Sequence, residues 1–116
     1  MSLIRSVLLA GKFRSQPQLN GMSSDDQRNT LIVELSSRTN QSVAHYQALD
    51  DYALAGVGAV LVFLREARIC SDQDLKGMSD EDMRNTLIVE LDLQTHRGQE
   101  LQRLNNLDLV LQGLGR

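Results

Sequence analysis

Tryptophan is missing from this chain of 116 residues, and two tyrosines and two phenylalanines are its only aromatics. A core must therefore be aliphatic, built from Leu, Ile, Val, Ala and Met. The rings on which single-stranded nucleic acid stacks are also scarce. There is one cysteine, Cys70, so no internal disulfide can form and no oxidising compartment is implied. Between Ile69 and Ser71 it reads as a small buried hydrophobe. Long apolar runs are lacking too. The longest, Ala53–Leu64, has 12 residues, short of the roughly 20 that span a bilayer. It reads as a buried helix at the centre of the molecule, with a dimer seam as the other option. Arg5 followed by Val7-Leu8-Leu9-Ala10 is too short for a signal-peptide core. No membrane association is expected, and a soluble, cytoplasmic chain is.

Positive charge is in deficit. Twelve basic residues face 15 acidic ones, a net charge of −3, which lacks the footprint needed to hold phosphate backbones. No nucleic-acid partner is expected. Residues 1–56 carry five basic and five acidic groups, residues 57–116 seven and ten, so a cationic partner would meet the second half.

What the chain does have is a repeat. Residues 3–41 and 59–97 align without a gap at 16 identities in 39 positions, and Arg28–Leu35 recurs unchanged as Arg84–Leu91. After one residue is dropped, Gln47–Leu54 aligns with Gln102–Leu109. Each copy reads as helix, loop, helix, short helix, turn. Ser23 and Ser79 are good N-caps, with Asp26 and Asp82 three residues on as a carboxylate form of the capping box. Met22 and Met78 stand where a hydrophobic staple would; Met83 can complete it, and Gln27 is the poorer partner. The β-branched run Thr30-Ile32-Val33 suits a strand, but the caps and the spacing of Leu31, Ile32 and Leu35 favour a helix. Gly56-Val57-Gly58 either breaks the long apolar helix or packs it tightly.

The expected fold is all-α: two tandem pseudo-twofold-related helical units, about 3–56 and about 59–113, sharing one aliphatic core in a single domain over residues 1–116. The pattern Met-Ser-x-x-Asp-x-Arg-Asn-Thr-Leu-Ile-Val-Glu-Leu, present in both copies, resembles tandem helical modules of uncharacterised bacterial proteins. That resemblance implies no activity, ligand or site.

Candidate chemistry is sparse. Asp72-Gln73-Asp74-Leu75-Lys76-Gly77 resembles the start of a calcium loop, then departs from it with Lys76 at position 5, Ser79 at position 8 and Met83 at position 12, where a bidentate Glu is needed. His45 and His96 are isolated, non-equivalent in the repeat, and read as surface or helix-end residues. No motif assembles a nucleophile, a base and an orienting group. No metal, cofactor or catalytic residue is expected.

The duplicated polar set remains: Arg28, Asn29, Thr30 and Glu34, with Arg84, Asn85, Thr86 and Glu90. Recent duplication, a structural role, or a bivalent surface each accounts for it. The core needs Leu31, Ile32, Val33 and Leu35, not these. On a helical wheel, at roughly 100° per residue, Arg28 falls inside the apolar stripe. Both arginines are therefore expected to be substantially buried and bonded to loop carbonyls or a carboxylate, Asp50 or Asp51 for Arg28 and Asp108 for Arg84. The expected function is a non-catalytic protein-interaction or structural helical repeat module, part of a longer chain or a homodimer as further options. A small-ligand or calcium-responsive module is the alternative, and an enzyme of unknown class the third.

Overall fold

The computed structural model describes residues 2–115. Among them the chain is all-helical, with no strand. In order the helices are α1 (Leu3–Ala10), α2 (Gln16–Asn20), α3 (Ser24–Arg38), α4 (Val43–Gln47), α5 (Asp51–Glu66), α6 (Asp72–Lys76), α7 (Asp80–Thr95), α8 (Gly98–Leu101) and α9 (Asn106–Leu114).

Serine punctuation sets most of these starts. Ser2, Ser15, Ser23, Ser42, Ser71 and Ser79, with Asp50 and Asn105, each accept a hydrogen bond from the backbone amide three residues on. Such a cap contributes about 1 kcal/mol. α8 has no side-chain cap. The expected reciprocal box forms at Ser79–Asp82, whereas at Ser23–Asp26 only the serine's half is made. Two stretches expected as loops contain helices instead. α2 starts on a box between Ser15 and Gln18, with Pro17 in its first turn, where its missing N–H costs nothing. α6 starts on a box between Ser71 and Asp74.

The strand alternative for residues 28–35 fails, because α3 and α7 run through both copies. Their buried faces are Gln27, Leu31, Ile32 and Leu35, and Met83, Leu87, Ile88 and Leu91. Val33 was expected in the core and is not: it and Val89 are each 58% exposed. On the wheel that places Arg28 in the stripe, Val33 falls near 140°, on the far side, at about 100° per residue.

α5 is continuous through Gly56 and Gly58, so the glycines pack the helix rather than break it. A Cβ on Gly58 would lie 2.7 Å from Val7 Cγ1, and one on Gly56 3.1 Å from Asn106 Cβ. The boundary between the sequence copies, about 56–59, thus falls inside a helix. α5 packs against α1, α3, α7 and α9. Beside it, Val7 lies at Gly58, and Arg65 donates to the Gly11 carbonyl. On another side Asn105 donates to the Tyr52 hydroxyl (3.1 Å), and Gly113 lies on the Phe63 ring. α1 and α9 therefore flank α5, and all three run in the same direction. The buried apolar residues form one aliphatic cluster, from Ile4 to Val110, with Cys70, Phe13 and Tyr46 among them.

Candidate functional site

The duplicated arginines take the positions that the helical wheel implies. Each is half-buried in the first turns of its helix. Arg28 donates to the carbonyls of Gln47 and Leu49 and to Asp51 Oδ1 (2.6 Å). Arg84 donates to the carbonyls of Gln102 (2.9 Å) and Leu104 and to Asn106 Oδ1 (3.0 Å). Each guanidinium thus closes the turn after the following short helix onto the start of the next long one. The acid expected for Arg84 is corrected. Asp108 is not its partner; the residue aligned with Asp51 once the single deletion is counted is Asn106, and that amide takes the bond.

The other members of the set divide. Thr30 and Thr86 turn their hydroxyls back onto the carbonyls of Asp26 and Asp82, each at 2.8 Å. Glu34 accepts from Arg38 (2.9 Å) and pairs with Arg14 (3.4 Å). Opposite Glu90 the aligned positions are Cys70 and Gln94, which carry no positive charge. The side chains of Asn29 and Asn85 are exposed and make no hydrogen bond among the described residues.

A junction that local sequence patterns do not announce lies between α4 and the start of α7. Tyr46 is fully buried; its hydroxyl donates to Asp80 Oδ1 (2.7 Å) and shares a hydrogen bond with Thr39 Oγ1 (2.8 Å). His45 Nε2 lies 2.6 Å from the other Asp80 oxygen. Burial pushes the Tyr46 phenol well up, and the Asp80 carboxylate adds to that. Alongside, the Asn40 amide donates to the Met78 carbonyl (3.0 Å) and its side chain to the Gly77 carbonyl (3.3 Å). Asp80 thus has work beyond the helix dipole, and His45 is not the isolated residue expected. Only the pairing of a buried tyrosine with an acid across 34 positions reveals the contact, and nothing local encodes it. His96, by contrast, is an exposed C-cap in the left-handed region (φ 58°).

The calcium-like segment has a different geometry from an ion-binding loop. Asp72–Lys76 is helical, and the Asp74 carboxylate turns back to the Ser71 amide (3.0 Å), which holds it below the usual carboxylate range. Among the described residues no three His, Cys, Asp or Glu side chains converge as a metal site would require. Burial, with Asp74 and Glu90 nearby, raises the Cys70 thiol and keeps it protonated.

Beside the junction is a cleft of about 590 Å3 between α5 and the α8–α9 turn, with Tyr52, Gly56, Asp80, Arg84 and Asn106 on its walls. Its polar groups are largely engaged already, Asp80 by His45 and Tyr46, and Arg84 by the turn. Among the described residues, no helix is long and apolar enough to cross a membrane.

Comparison with known proteins gives no match to a family model, a curated sequence or a solved structure.

Proposed function

We propose that the chain is a non-catalytic helical repeat module that holds a protein partner against the outward faces of α3 and α7. The observation that carries this reading is what remains once the structural work of the repeat is subtracted. Arg28 and Arg84 clamp turns, and Thr30 and Thr86 bond their own helices. Asn29 with Asn85, and Val33 with Val89, do neither. They are identical in both copies and exposed, and the fold has no use for an exposed valine at 58% in two places. Two equal patches on one chain suit a partner with two equal motifs, which is held by avidity as well as by contact.

In this reading the units are stacked, not opposed. The common direction of α1, α5 and α9 favours units that follow one another in the same sense, in place of the twofold expected from the sequence. The extents of 44 × 27 × 24 Å suit that arrangement. Repeats stacked in this way bind along an extended face.

The test uses Val33→Asp, Val89→Asp and the double variant. All should melt with the parent, since both positions are exposed. Proteins retained from source-cell extract are then compared by quantitative mass spectrometry. A protein held by the parent, weakened by each single change and lost with the double one is the expected result. A double variant that retains the same proteins as the parent would refute the reading.

A further inference from the structure

Of the six asparagines, only Asn20 precedes a glycine. Glycine has no Cβ to shield its backbone nitrogen. An Asn-Gly pair is therefore where that nitrogen most easily reaches the carboxamide carbon of the preceding side chain. Asn20 ends α2, and both it and Gly21 are exposed. The turn is lightly held. In α2 only Leu19 is buried, and the Gly21 amide donates to the Gln18 carbonyl across a long 3.3 Å. A short, exposed helix end of this kind opens at little cost.

The second copy builds the same turn without an asparagine. Lys76 stands in place of Asn20, and Gly77 (φ −93°, ψ 5°) repeats the backbone of Gly21 (φ −89°, ψ 3°). The turn itself thus has no need of the amide. What the first copy adds is a cation aimed at it. The Arg5 guanidinium, on α1, donates to Asn20 Oδ1 (2.7 Å), whereas Leu61 aligns with Arg5 in the second copy. Arg5 makes no ion pair among the described residues, so its charge is not already matched. Oδ1 is the atom on which negative charge develops when the carboxamide carbon is attacked. A guanidinium already bonded to it polarises the carbonyl and stabilises the oxyanion.

We propose that Asn20 is a self-modification site, converted to aspartate and isoaspartate through a cyclic imide, with Arg5 promoting ring closure. The Gly21 nitrogen loses its proton to water as it bonds to Asn20 Cγ. The Cγ–Nδ2 bond breaks, and Nδ2 takes up a proton from water and leaves as ammonia. Water then opens the imide. Cleavage at Cγ gives aspartate; cleavage at the main-chain carbonyl gives isoaspartate. Nothing is oxidised or reduced, and water is the only co-reactant. The aspartate product faces Arg5 with a carboxylate, which ties α1 to α2 by charge and takes the net charge of −3 one unit lower. This inference concerns the corner between α1 and α2 and does not depend on the α3–α7 strip.

Ageing the full chain at mildly alkaline pH and body temperature, followed by ion exchange and peptide mass mapping, tests it. A more acidic form should accumulate, with residue 20 changed ahead of every other asparagine, and part of it should co-elute with the Asn20→Asp chain. Gly21→Ala should slow the change at least tenfold. A Cβ there meets nothing nearer than the Gln18 carbonyl oxygen at 3.7 Å, so the fold is kept. Arg5→Gln places a good helix former at a half-buried position and should leave the circular dichroism unchanged. It should slow the change at least threefold in the folded chain and have no effect in urea, where the two side chains part. No change at residue 20, or an earlier change at another asparagine, would overturn the proposal. So would a folded Arg5→Gln chain that ages as fast as the parent, or one slowed equally in urea.

Discussion

Arg28 and Arg84 occupy the same place in the two copies, and they differ in one partner. Both bind the two carbonyls of the turn ahead; one adds a carboxylate, Asp51, and the other a neutral amide, Asn106. The carbonyl clamp is the shared part, and the charge opposite it is interchangeable. Asp51 explains why: its side chain is 75% exposed, so its ion pair is largely screened. The same contrast recurs further along the helix. Glu34 is held by Arg14 and Arg38, with Arg38 and Arg65 stacked on Phe13 at 4.7 and 5.2 Å, whereas opposite Glu90 stand Cys70 and Gln94. The identical arginines and threonines thus mark backbone work, and side-chain partners have been free to diverge.

The largest effect should come from removing the clamp itself. Arg28→Ala and Arg84→Ala should each destabilise the fold by about 2–4 kcal/mol in urea titrations, the range for loss of one partner in a buried polar network. Equal losses would place the energy in the carbonyls. A loss confined to Arg28 would return it to the Asp51 ion pair and break the comparison.

Next comes the junction at Tyr46, which has no equivalent in the second copy, where Leu101 aligns. Tyr46→Phe should cost about 1–2 kcal/mol, since Thr39 and Asp80 each lose a hydrogen bond. It should also change the alkaline limb of the stability profile. The folded chain holds the Tyr46 and Cys70 protons more tightly than the unfolded chain does. At high pH the unfolded state therefore binds fewer protons, and stability falls as pH rises beyond about 8.5 for the thiol and about 10 for the phenol. The denaturation midpoint should decline above those values, and Tyr46→Phe should remove the later part of the decline. A profile unchanged in that variant would mean that the phenol does not titrate differently in the fold.

A smaller effect, of opposite sign, is expected at Gln27. It is buried where the second copy has Met83, and its amide reaches the carbonyls of Leu19 and Met22 only at 3.3 and 3.4 Å. Gln27→Met should stabilise by about 0.5–1 kcal/mol, exchanging two long hydrogen bonds for apolar contact. A destabilised variant would show that the copies have drifted apart in shape at this point. Smallest of all is Asp51→Asn, which gives Arg28 the partner that Arg84 has. A change within about 0.5 kcal/mol is expected, with little dependence on salt; a larger one would show that the first arginine relies on its charge pair after all.

Much of this was legible in the residues. The serine caps fixed the starts of α3 and α7, and the helical period placed Arg28 and Arg84 against the core. That wheel also exposes Val33, which its apolar character alone assigns wrongly. α2 and α6 were hidden because five-residue helices have no periodicity to show, although Ser15 with Gln18 and Ser71 with Asp74 were visible boxes. Asp108 misled because the position aligned with Asp51 is Asn106, an amide, and Asp108 is the nearest carboxylate on that turn. The Tyr46–Asp80 contact joins residues that only tertiary packing brings together, and no local pattern encodes it.

The continuity of α5 decides how the chain could be cut or lengthened. Its first half aligns with α9 and its second half with α1, so the point where one copy gives way to the next lies in mid-helix. Excision at Gly56–Gly58 would leave two fragments, each ending in a half-helix stripped of its apolar cover. A fragment meant to stand alone has to take all of Asp51–Glu66 with it, and two neighbouring fragments would then both claim the same helix. Insertion obeys the opposite logic. A further copy spliced in at that phase adds no loop and no new joint, only another helix with a different neighbour on each side, so the architecture is easier to extend than to divide.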